Sequence, residues 1–160
     1  MGTITRSFAN LITASGPSAL PAGVGGKVLQ VVTGTDSTER NTTSTSFVTA
    51  SNTLSVSITP SATANKVFII VNTGLFKATG GSGFITIYRD STNLGGAGGI
   101  AQIQQAVYSS SCISYLDSPN TTSARTYQLY VRSSDANPIY INSDNGGGLV
   151  CSLTAFEIAG

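Results

Sequence analysis

Histidine and tryptophan are both absent from this chain of 160 residues, and only 9% of its residues are charged. Histidine is the side chain that most readily exchanges protons near neutral pH, and it is the commonest metal ligand. Its absence argues against hydrolytic enzymes and transition-metal enzymes. We therefore expect a protein that is not an enzyme and that uses no cofactor.

Charge of either sign is too sparse to form a patch. Eight basic and seven acidic residues give a net charge of +1, and they are scattered singly along the chain. A nucleic-acid backbone is bound by a stripe or cluster of basic residues, so we expect no nucleic-acid partner. No stretch approaches the roughly 20 apolar residues that span a bilayer, and the N-terminus lacks the pattern of a secretory signal. We expect no membrane partner either.

The remaining reactive side chains suggest neither a catalytic nor a metal site. No spacing among the seven acidic residues nominates a catalytic pair, and no lysine stands in a Ser-x-x-Lys frame. Two turns rich in side-chain oxygens, 90–93 and 142–146, resemble calcium loops only loosely and are explained by Asx turns. The sequence therefore predicts no catalytic, cofactor-binding or metal-binding residues.

The two cysteines, Cys112 and Cys151, each lie in a predicted strand. Buried free thiols are one interpretation, because cysteine is commonly buried for packing alone. A disulfide between neighbouring strands is the other. Two thiols without histidine are too few ligands for a metal site.

Hydroxyl side chains are abundant instead, with 22 serines and 21 threonines that alternate with apolar residues. In the segment 54–59, Leu54, Val56 and Ile58 alternate with serine or threonine, as in a strand with one buried face. Strand signals recur about every dozen residues from Lys27 onward, and eight to ten strands are expected. The sequence predicts an all-β, antiparallel two-sheet β-sandwich over 27–160, jelly-roll-like rather than immunoglobulin-like because no core tryptophan is present.

Particular segments predict the layout of this sandwich. The run 67–71 is apolar on both faces, which predicts a central strand covered above and below. Tyr127, Leu129 and Val131 are expected to face inward. In the last strand, 149–159, one face is expected to carry Leu149, Cys151, Leu153 and Ala155 and the other Val150, Phe156 and Ile158. The polar stretch 33–46 is expected to be an exposed connection, and 100–108 is assigned to a strand.

Residues 1–26 differ from the rest, because Gly, Ser, Ala and two prolines interrupt every period. This segment is interpreted as an extended N-terminal arm. Phe8, Leu11 and Ile12 form a brief apolar cluster that a purely solvated tail does not need. A disordered leader and an arm that becomes ordered against a partner are the two alternatives, and the three apolar side chains favour the second.

Aromatic side chains suggest a second binding mode. Tyr108, Tyr115, Tyr130 and Tyr140 are the tyrosines expected to be exposed, and together they would offer a platform for a glycan. Aromatic residues more commonly fill a core or the contact between subunits, and that alternative stays open.

Several segments resemble small virion proteins of tailed bacteriophages, especially cyanophages. The matching segments are GGKVLQVV at 25–32, LSVSITPSATANKVFIIVNTG at 54–74, ITIYRDSTNLG at 85–95, SYLDSPNTTSARTYQLYVRS at 114–133 and LTAFEIAG at 153–160. The resemblance covers most of residues 25–160 and includes no catalytic motif. It implies a structural β-sandwich in a phage particle, made in the cytoplasm of the host bacterium.

A short arm followed by one compact domain fits a capsid cement or decoration protein. Such a protein binds the outer surface of the capsid and stabilises the head by bridging subunits of the major capsid protein. The arm anchors Phe8, Leu11 and Ile12 would then reach a neighbouring subunit, and by analogy with jelly-roll virion proteins we expect a homotrimer. The alternative is a receptor-binding module, a tail-fibre or head-fibre tip that recognises host glycan.

Overall fold

The computed structural model describes residues 27–104, 107–143 and 148–160, and within them the backbone forms strands and turns. No helix long and apolar enough to cross a membrane occurs in these ranges. The predicted arm, with Phe8, Leu11 and Ile12, lies outside the described residues. The strands are β1 (Val28–Asp36), β2 (Arg40–Thr42), β3 (Val48–Thr49), β4 (Ser55–Ile58), β5 (Lys66–Lys77), β6 (Ser82–Arg89), β7 (Thr92–Asn93), β8 (Ala101–Gln104), β9 (Tyr108–Asp117), β10 (Arg125–Ser133), β11 (Ile139–Ile141) and β12 (Cys151–Ile158).

The strands form two antiparallel sheets of six strands each. In sheet A, the long strand β5 pairs with β9 along one edge and with β12 and then β11 along the other. Strands β1 and β2 complete that side of sheet A by pairing with β12 and β11. In sheet B, β10 and β6 pair at the centre, with β3 and β4 beside β10 and β7 and β8 beside β6.

The connectivity is that of a jelly roll. Some strands that follow one another in sequence share one position in a sheet. β3 and β4 both pair with β10, β7 and β8 both pair with β6, and β11 and β12 both pair with β5. β1 and β2 pair with β12 and β11, so they also share one position. Counted this way, the chain has eight strand positions. Sheet A then has the order 1-8-3-6 and sheet B the order 2-7-4-5, which is the double Greek-key arrangement of jelly rolls. The predicted β-sandwich is confirmed.

The core lies between the inward faces of the two sheets. Strand β5 contributes Val67, Ile69 and Val71, all fully buried, and β10 contributes Tyr127 and Leu129 from the opposite sheet. Burying a side chain of this size contributes about 1.5–3 kcal/mol. The inward positions predicted for β4 and β10 are confirmed, and in β12 the face with Cys151, Leu153 and Ala155 is the buried one. The buried apolar residues are Ala50, Leu54, Val56, Ile58, Val67, Ile69, Val71, Leu75, Ile85, Ile87, Ile103, Ile113, Tyr127, Leu129, Val131, Ile139, Ile141, Cys151, Leu153 and Ala155.

Three local expectations differ from the structure. The polar stretch 33–46 is not one connection, because β1 continues to Asp36 by pairing with β12 and β2 pairs with β11. Backbone pairing at a sheet edge accepts polar residues, which hydrophobic patterning does not detect. The segment 100–108 is divided between β8 of sheet B and β9 of sheet A. Strand β5 is central, but Phe68 and Ile70 on its outward face are only half-buried.

Two buried carboxylates hold loops against the sandwich by accepting hydrogen bonds from them. Asp36 accepts hydrogen bonds from the Ser51 hydroxyl and from the backbone N–H of Thr38 at 2.9 Å. Glu157 accepts hydrogen bonds from the N–H of Ser61 at 2.6 Å, the hydroxyl of Ser61 at 2.7 Å and the amide of Asn65 at 2.6 Å. Burial alone would raise the pKa of both groups, but these donors hold both pKa values below the usual range. The paired carboxylates therefore favour the folded state.

Two clusters of polar side chains connect sheet A with elements of sheet B. The Arg89 guanidinium donates to both oxygens of Asp117 at 2.8 Å, and the Tyr127 hydroxyl donates to Asp117 at 2.7 Å. Burial and the neighbouring Asp117 raise the pKa of Tyr127, so its hydroxyl stays protonated. Lys77 is fully buried, and its Nζ lies 3.0 Å from Oδ1 of Asp135 and 2.6 Å from the carbonyl oxygen of Thr79. A buried charge is tolerated only when it is paired in this way.

Stability should fall in acid. The folded-state pKa values of Asp36, Asp135 and Glu157 lie below their usual values, so the unfolded chain binds more protons in acid than the folded chain does. Their contribution is present above the unfolded pKa of about 4 and is lost as pH decreases below it. Urea titrations should give a constant unfolding free energy between about pH 7 and 5 and a falling one below.

The variant Glu157→Gln should show a shallower decrease, because one of the three carboxylates is removed. Glu39→Gln, at an exposed residue, is the matched control and should retain the wild-type profile. An unfolding free energy that stays constant or rises on acidification would contradict this description of the polar contacts.

Candidate interaction surface

Exposed apolar side chains are concentrated on one sheet. Every large hydrophobic residue that is exposed within the described ranges lies in a strand of sheet A or directly before one, and none lies in sheet B. They are Val28, Leu29, Val31, Val107, Tyr108, Leu116 and Val150. Scattered exposed hydrophobic residues need no explanation, but an accumulation on one face does.

Four of the outward side chains form a continuous apolar row across sheet A. Val31 of β1 lies opposite Phe156 of β12, Phe156 lies opposite Phe68 of β5, and Phe68 lies opposite Leu116 of β9. The rings of Phe68 and Phe156 are in contact range, with centroids 6.4 Å apart. At the two ends of the row, Val31 is 53% and Leu116 51% exposed. The row therefore presents apolar surface to solvent across the full width of the sheet.

The apolar row is widened by neighbours on the same face. Val28 pairs with Ile158 beside one side of the row, and Ile70 follows Phe68 on the other side. Lys66, which pairs with Ile158, marks the boundary of this surface. We call the apolar row together with Val28, Ile158 and Ile70 the apolar patch.

An aromatic group occupies the opposite end of the same sheet face. Phe76 of β5 pairs with Tyr108 on one side and with Tyr140 on the other. The rings of Phe76 and Tyr108 are stacked with centroids 4.1 Å apart, and the rings of Phe76 and Tyr140 are 5.8 Å apart. We call these three residues the aromatic row.

A depression of about 260 Å³ lies between the apolar row and the aromatic row. It forms where β12 and β11 separate along β5, and there the N–H of Asn142 donates to the carbonyl of Gly74 at 2.8 Å. A Cβ at position 74 would lie 2.9 Å from the backbone carbonyl oxygen of Ser143 and 2.5 Å from Cδ1 of Leu149, which favours glycine there. The depression is lined by Asn72, Thr73, Gly74, Ser110, Ser111, Cys112, Leu149, Val150 and Cys151.

The outward face of sheet B also carries aromatic residues, but they are packed within the domain. The rings of Tyr88 and Tyr130 are stacked at 3.8 Å. Arg132 lies over the ring of Phe84 at 4.0 Å and near that of Phe47 at 5.2 Å. A guanidinium over an aromatic face contributes about 0.5–1 kcal/mol at exposed sites. These aromatic residues of sheet B are all half-buried, whereas sheet A leaves Val31, Tyr108 and Leu116 exposed.

The four tyrosines proposed as a glycan platform lie on three different surfaces. Tyr108 and Tyr140 belong to the aromatic row of sheet A. Tyr130 lies on the outward face of sheet B, and Tyr115 pairs with Ile69 and packs against the core. One platform made of all four is therefore not formed. Only Tyr108 and Tyr140 are brought together.

The two cysteines are both free, one exposed and one buried. Cys112 pairs with Asn72 on the outward face of sheet A, whereas Cys151 pairs with Asp36 on the inward face. Because their side chains lie on opposite faces of one sheet, they do not form the disulfide that was one alternative. The expectation of two buried thiols is correct for Cys151 and wrong for Cys112.

Five of the seven acidic side chains are engaged in contacts within the fold. In the turn 90–93, Asp90 accepts a hydrogen bond from the N–H of Thr126 at 3.0 Å and another from Arg125 at 3.0 Å. Asp36, Asp117, Asp135 and Glu157 are bonded as described above. Within the described ranges, no three His, Cys, Asp or Glu side chains are grouped as metal ligands. The turn 142–146 lies partly outside these ranges.

Comparison with known proteins gives little sequence similarity. No family model matches the chain, and no curated protein does. Among solved structures, one described as "Structure of infectious bursal disease virus Gt strain" is similar with a TM-score of 0.40 and 12% sequence identity. The similarity covers 82% of this chain and 38% of that chain.

The two thiols should differ strongly in reactivity. Cys112 is exposed and Cys151 is buried, so a thiol reagent should modify one cysteine of the native protein quickly and the second only after denaturation. Cys112→Ser should remove the fast reaction, and the matched variant Cys151→Ser should keep it. Fast modification of both thiols in the native protein would contradict the assignment of the two sheet faces.

Proposed function

We propose that this protein is a structural component of a bacteriophage virion, specifically a capsid cement or decoration protein. It would bind the outer surface of the head and stabilise it by bridging subunits of the major capsid protein. The single observation that carries the proposal is the apolar patch on the outward face of sheet A. Exposed apolar surface of this kind marks a site of protein association.

The contrast between the sheets favours a particular use of the domain. Sheet A presents Val31 and Leu116 to solvent, while sheet B packs its aromatic residues against one another and against Arg132. A domain with one apolar and one self-contained face suits a subunit that lies within a layer of protein and exposes its other side. The resemblance of segments 25–32, 54–74, 85–95, 114–133 and 153–160 to phage virion proteins supports the same role.

Low charge is consistent with many copies standing side by side. With a net charge of +1 on 160 residues, neighbouring subunits repel one another little. We propose a homotrimer, with arms that reach across subunit boundaries. The jelly-roll fold does not decide between these roles, because it hosts many unrelated functions.

We further propose that the protein is not an enzyme. Five carboxylates, those of Asp36, Asp90, Asp117, Asp135 and Glu157, accept hydrogen bonds or ion pairs from groups within the same domain. A general base must instead be free to reach the proton that it removes. These contacts give each of the five carboxylates a role in the folded structure, and none of them needs a catalytic role.

The position in the particle can be tested directly by labelling. Gold-conjugated antibodies against the β-sandwich domain, applied to purified phage particles and viewed by electron microscopy, should decorate the outside of the head in many copies. Particles from a phage that lacks this protein are the matched control and should carry no label. Label confined to the tail tip would exclude the capsid role, and absence of label from intact particles would exclude an exposed virion protein.

A receptor-binding fibre tip is the second candidate, and the aromatic row is the observation that favours it. Tyr108 is 45% exposed and stacked on Phe76, and tyrosine rings are common contacts for sugars because they offer an apolar face with a polar tip. In this alternative the outward face of sheet A binds host glycan through Tyr108 and Tyr140.

Glycan arrays of host surface polysaccharides separate this candidate from the first. If the aromatic row binds glycan, Tyr108→Ala and Tyr140→Ala should each reduce the signal at least about 10-fold, as for residues that dominate an interface. Tyr130→Ala on sheet B is the matched control and should leave binding unchanged. No binding by the wild-type protein on arrays that contain the host polysaccharides counts against a receptor-binding role.

A further inference from the structure

The apolar patch and the N-terminal arm are complementary parts of one chain. We propose that the apolar row of sheet A binds Phe8, Leu11 and Ile12 from the arm of a second copy, so that copies associate head to tail by exchanging arms. The proposal rests on the same patch as the proposed function and assigns its apolar row to contacts between copies of this chain, so its test measures self-association alone.

The apolar row requires an apolar partner. Val31, Phe156, Phe68 and Leu116 follow one another across four paired strands, so their side chains form one strip rather than separate contacts. Neighbouring strands are about 4.8 Å apart, which makes the strip roughly 14 Å long. Three large side chains close together in sequence, as Phe8, Leu11 and Ile12 are, match a strip of this length. A polar or charged partner would lose its hydration against the strip without gaining hydrogen bonds in return.

The arm leaves the domain beside the patch. Lys27, the first described residue, accepts a hydrogen bond through its carbonyl from the N–H of Ala159 at 2.9 Å, and the next residue, Val28, pairs with Ile158. Both Val28 and Ile158 belong to the apolar patch. The arm of every copy is therefore attached at the edge of the surface that the proposal assigns to an arm.

The length of the connection allows the arm of one copy to reach a second copy. Fourteen residues, 13–26, separate Ile12 from Lys27, and two of them are Pro17 and Pro21. A fully extended chain spans at most about 3.3–3.6 Å per residue, so fourteen residues cover no more than roughly 50 Å. The radius of gyration expected for the domain is about 14 Å. A span of this length exceeds twice that radius, so the anchors of one copy can reach the patch of a neighbouring copy.

Arm exchange also limits the kind of symmetry that the assembly can have. The arm and the patch are different surfaces, so each contact is heterologous, and heterologous contacts close into rings when the rotation between copies permits. A closed ring of three copies would be the homotrimer proposed above. Each copy in such a ring gives one arm and accepts one.

Two full-length variants separate the two halves of the contact. One carries Phe8→Ser, Leu11→Ser and Ile12→Ser and keeps the patch; the other carries Val31→Lys and Leu116→Lys and keeps the arm. Val31 and Leu116 are 53% and 51% exposed, so both substitutions are compatible with folding, which circular dichroism and thermal unfolding would verify. Val150→Lys, at an exposed residue outside the patch, is the matched control.

Light scattering after size-exclusion chromatography gives the readout. Wild type and Val150→Lys should have a multiple of the 16.3 kDa chain mass, and each of the two variants should have the mass of one chain, with association weakened at least about 30-fold. Mixed together, the arm variant and the patch variant should form a complex of one copy each, since one supplies the patch and the other the arm.

Three results would overturn the proposal. A wild-type protein that is monomeric at micromolar concentration would exclude arm exchange, and protection of the arm from proteolysis in that monomer would indicate binding to its own patch. An arm variant that still associates like wild type would show that the patches of two copies pack on each other. Two monomeric variants that form no mixed complex would show that arm and patch do not meet.

Discussion

Strand β5 carries large apolar side chains on both faces of sheet A, but only one of these faces is covered by sheet B. Val67, Ile69 and Val71 point into the core and are fully buried, while Phe68 and Ile70 point outward and are half-buried. Because side chains of a strand alternate between its two faces, no shift in register would bury both sets against one sheet. The outward set stays partly exposed to solvent, and the assembly role proposed here rests on that exposure.

Polar interactions in this molecule mainly fix the geometry of the apolar surfaces. Glu157 holds the turn after β4 against the end of β12, and Asp117 joins the end of β9 to β6 and β10 through Arg89 and Tyr127. These contacts lie at the same end of sheet A as the apolar patch. They keep β12 and β9 in place on either side of β5, so that Phe156 and Leu116 stay in line with Phe68.

Much of the fold could be predicted from the sequence, because the alternation of apolar and hydroxyl residues directly reports which face of a strand is buried. Leu54, Val56 and Ile58 and the inward residues of β10 are examples. The polar strands of the sheet edges, such as β2, could not be predicted, since they depend on backbone pairing with distant segments. The side chains of Cys112 and Cys151 lie on opposite faces of sheet A because of the register between strands. The pattern of apolar residues within a single strand does not determine that register.

The site was less predictable than the fold. The sequence indicated apolar residues on both faces of 67–71 and at Phe156 and Ile158, but cross-strand pairing decides that Val31, Phe156, Phe68 and Leu116 form one row. Similarly, four tyrosines that looked equivalent in sequence are divided among the outward faces of both sheets and the core. Spacing along the chain does not carry this information, because neighbours in a sheet are distant in sequence.

The central claim is that another protein chain covers the outward face of sheet A when this protein is assembled. A cryo-electron-microscopy reconstruction of the assembled state, at a resolution that shows side chains, tests it most directly. We expect density from a neighbouring chain against Val31, Phe68, Phe156 and Leu116. The same neighbouring chain should make no contact with the outward face of sheet B. An assembly in which the apolar row faces open solvent and sheet B or the loops make the contacts would contradict it.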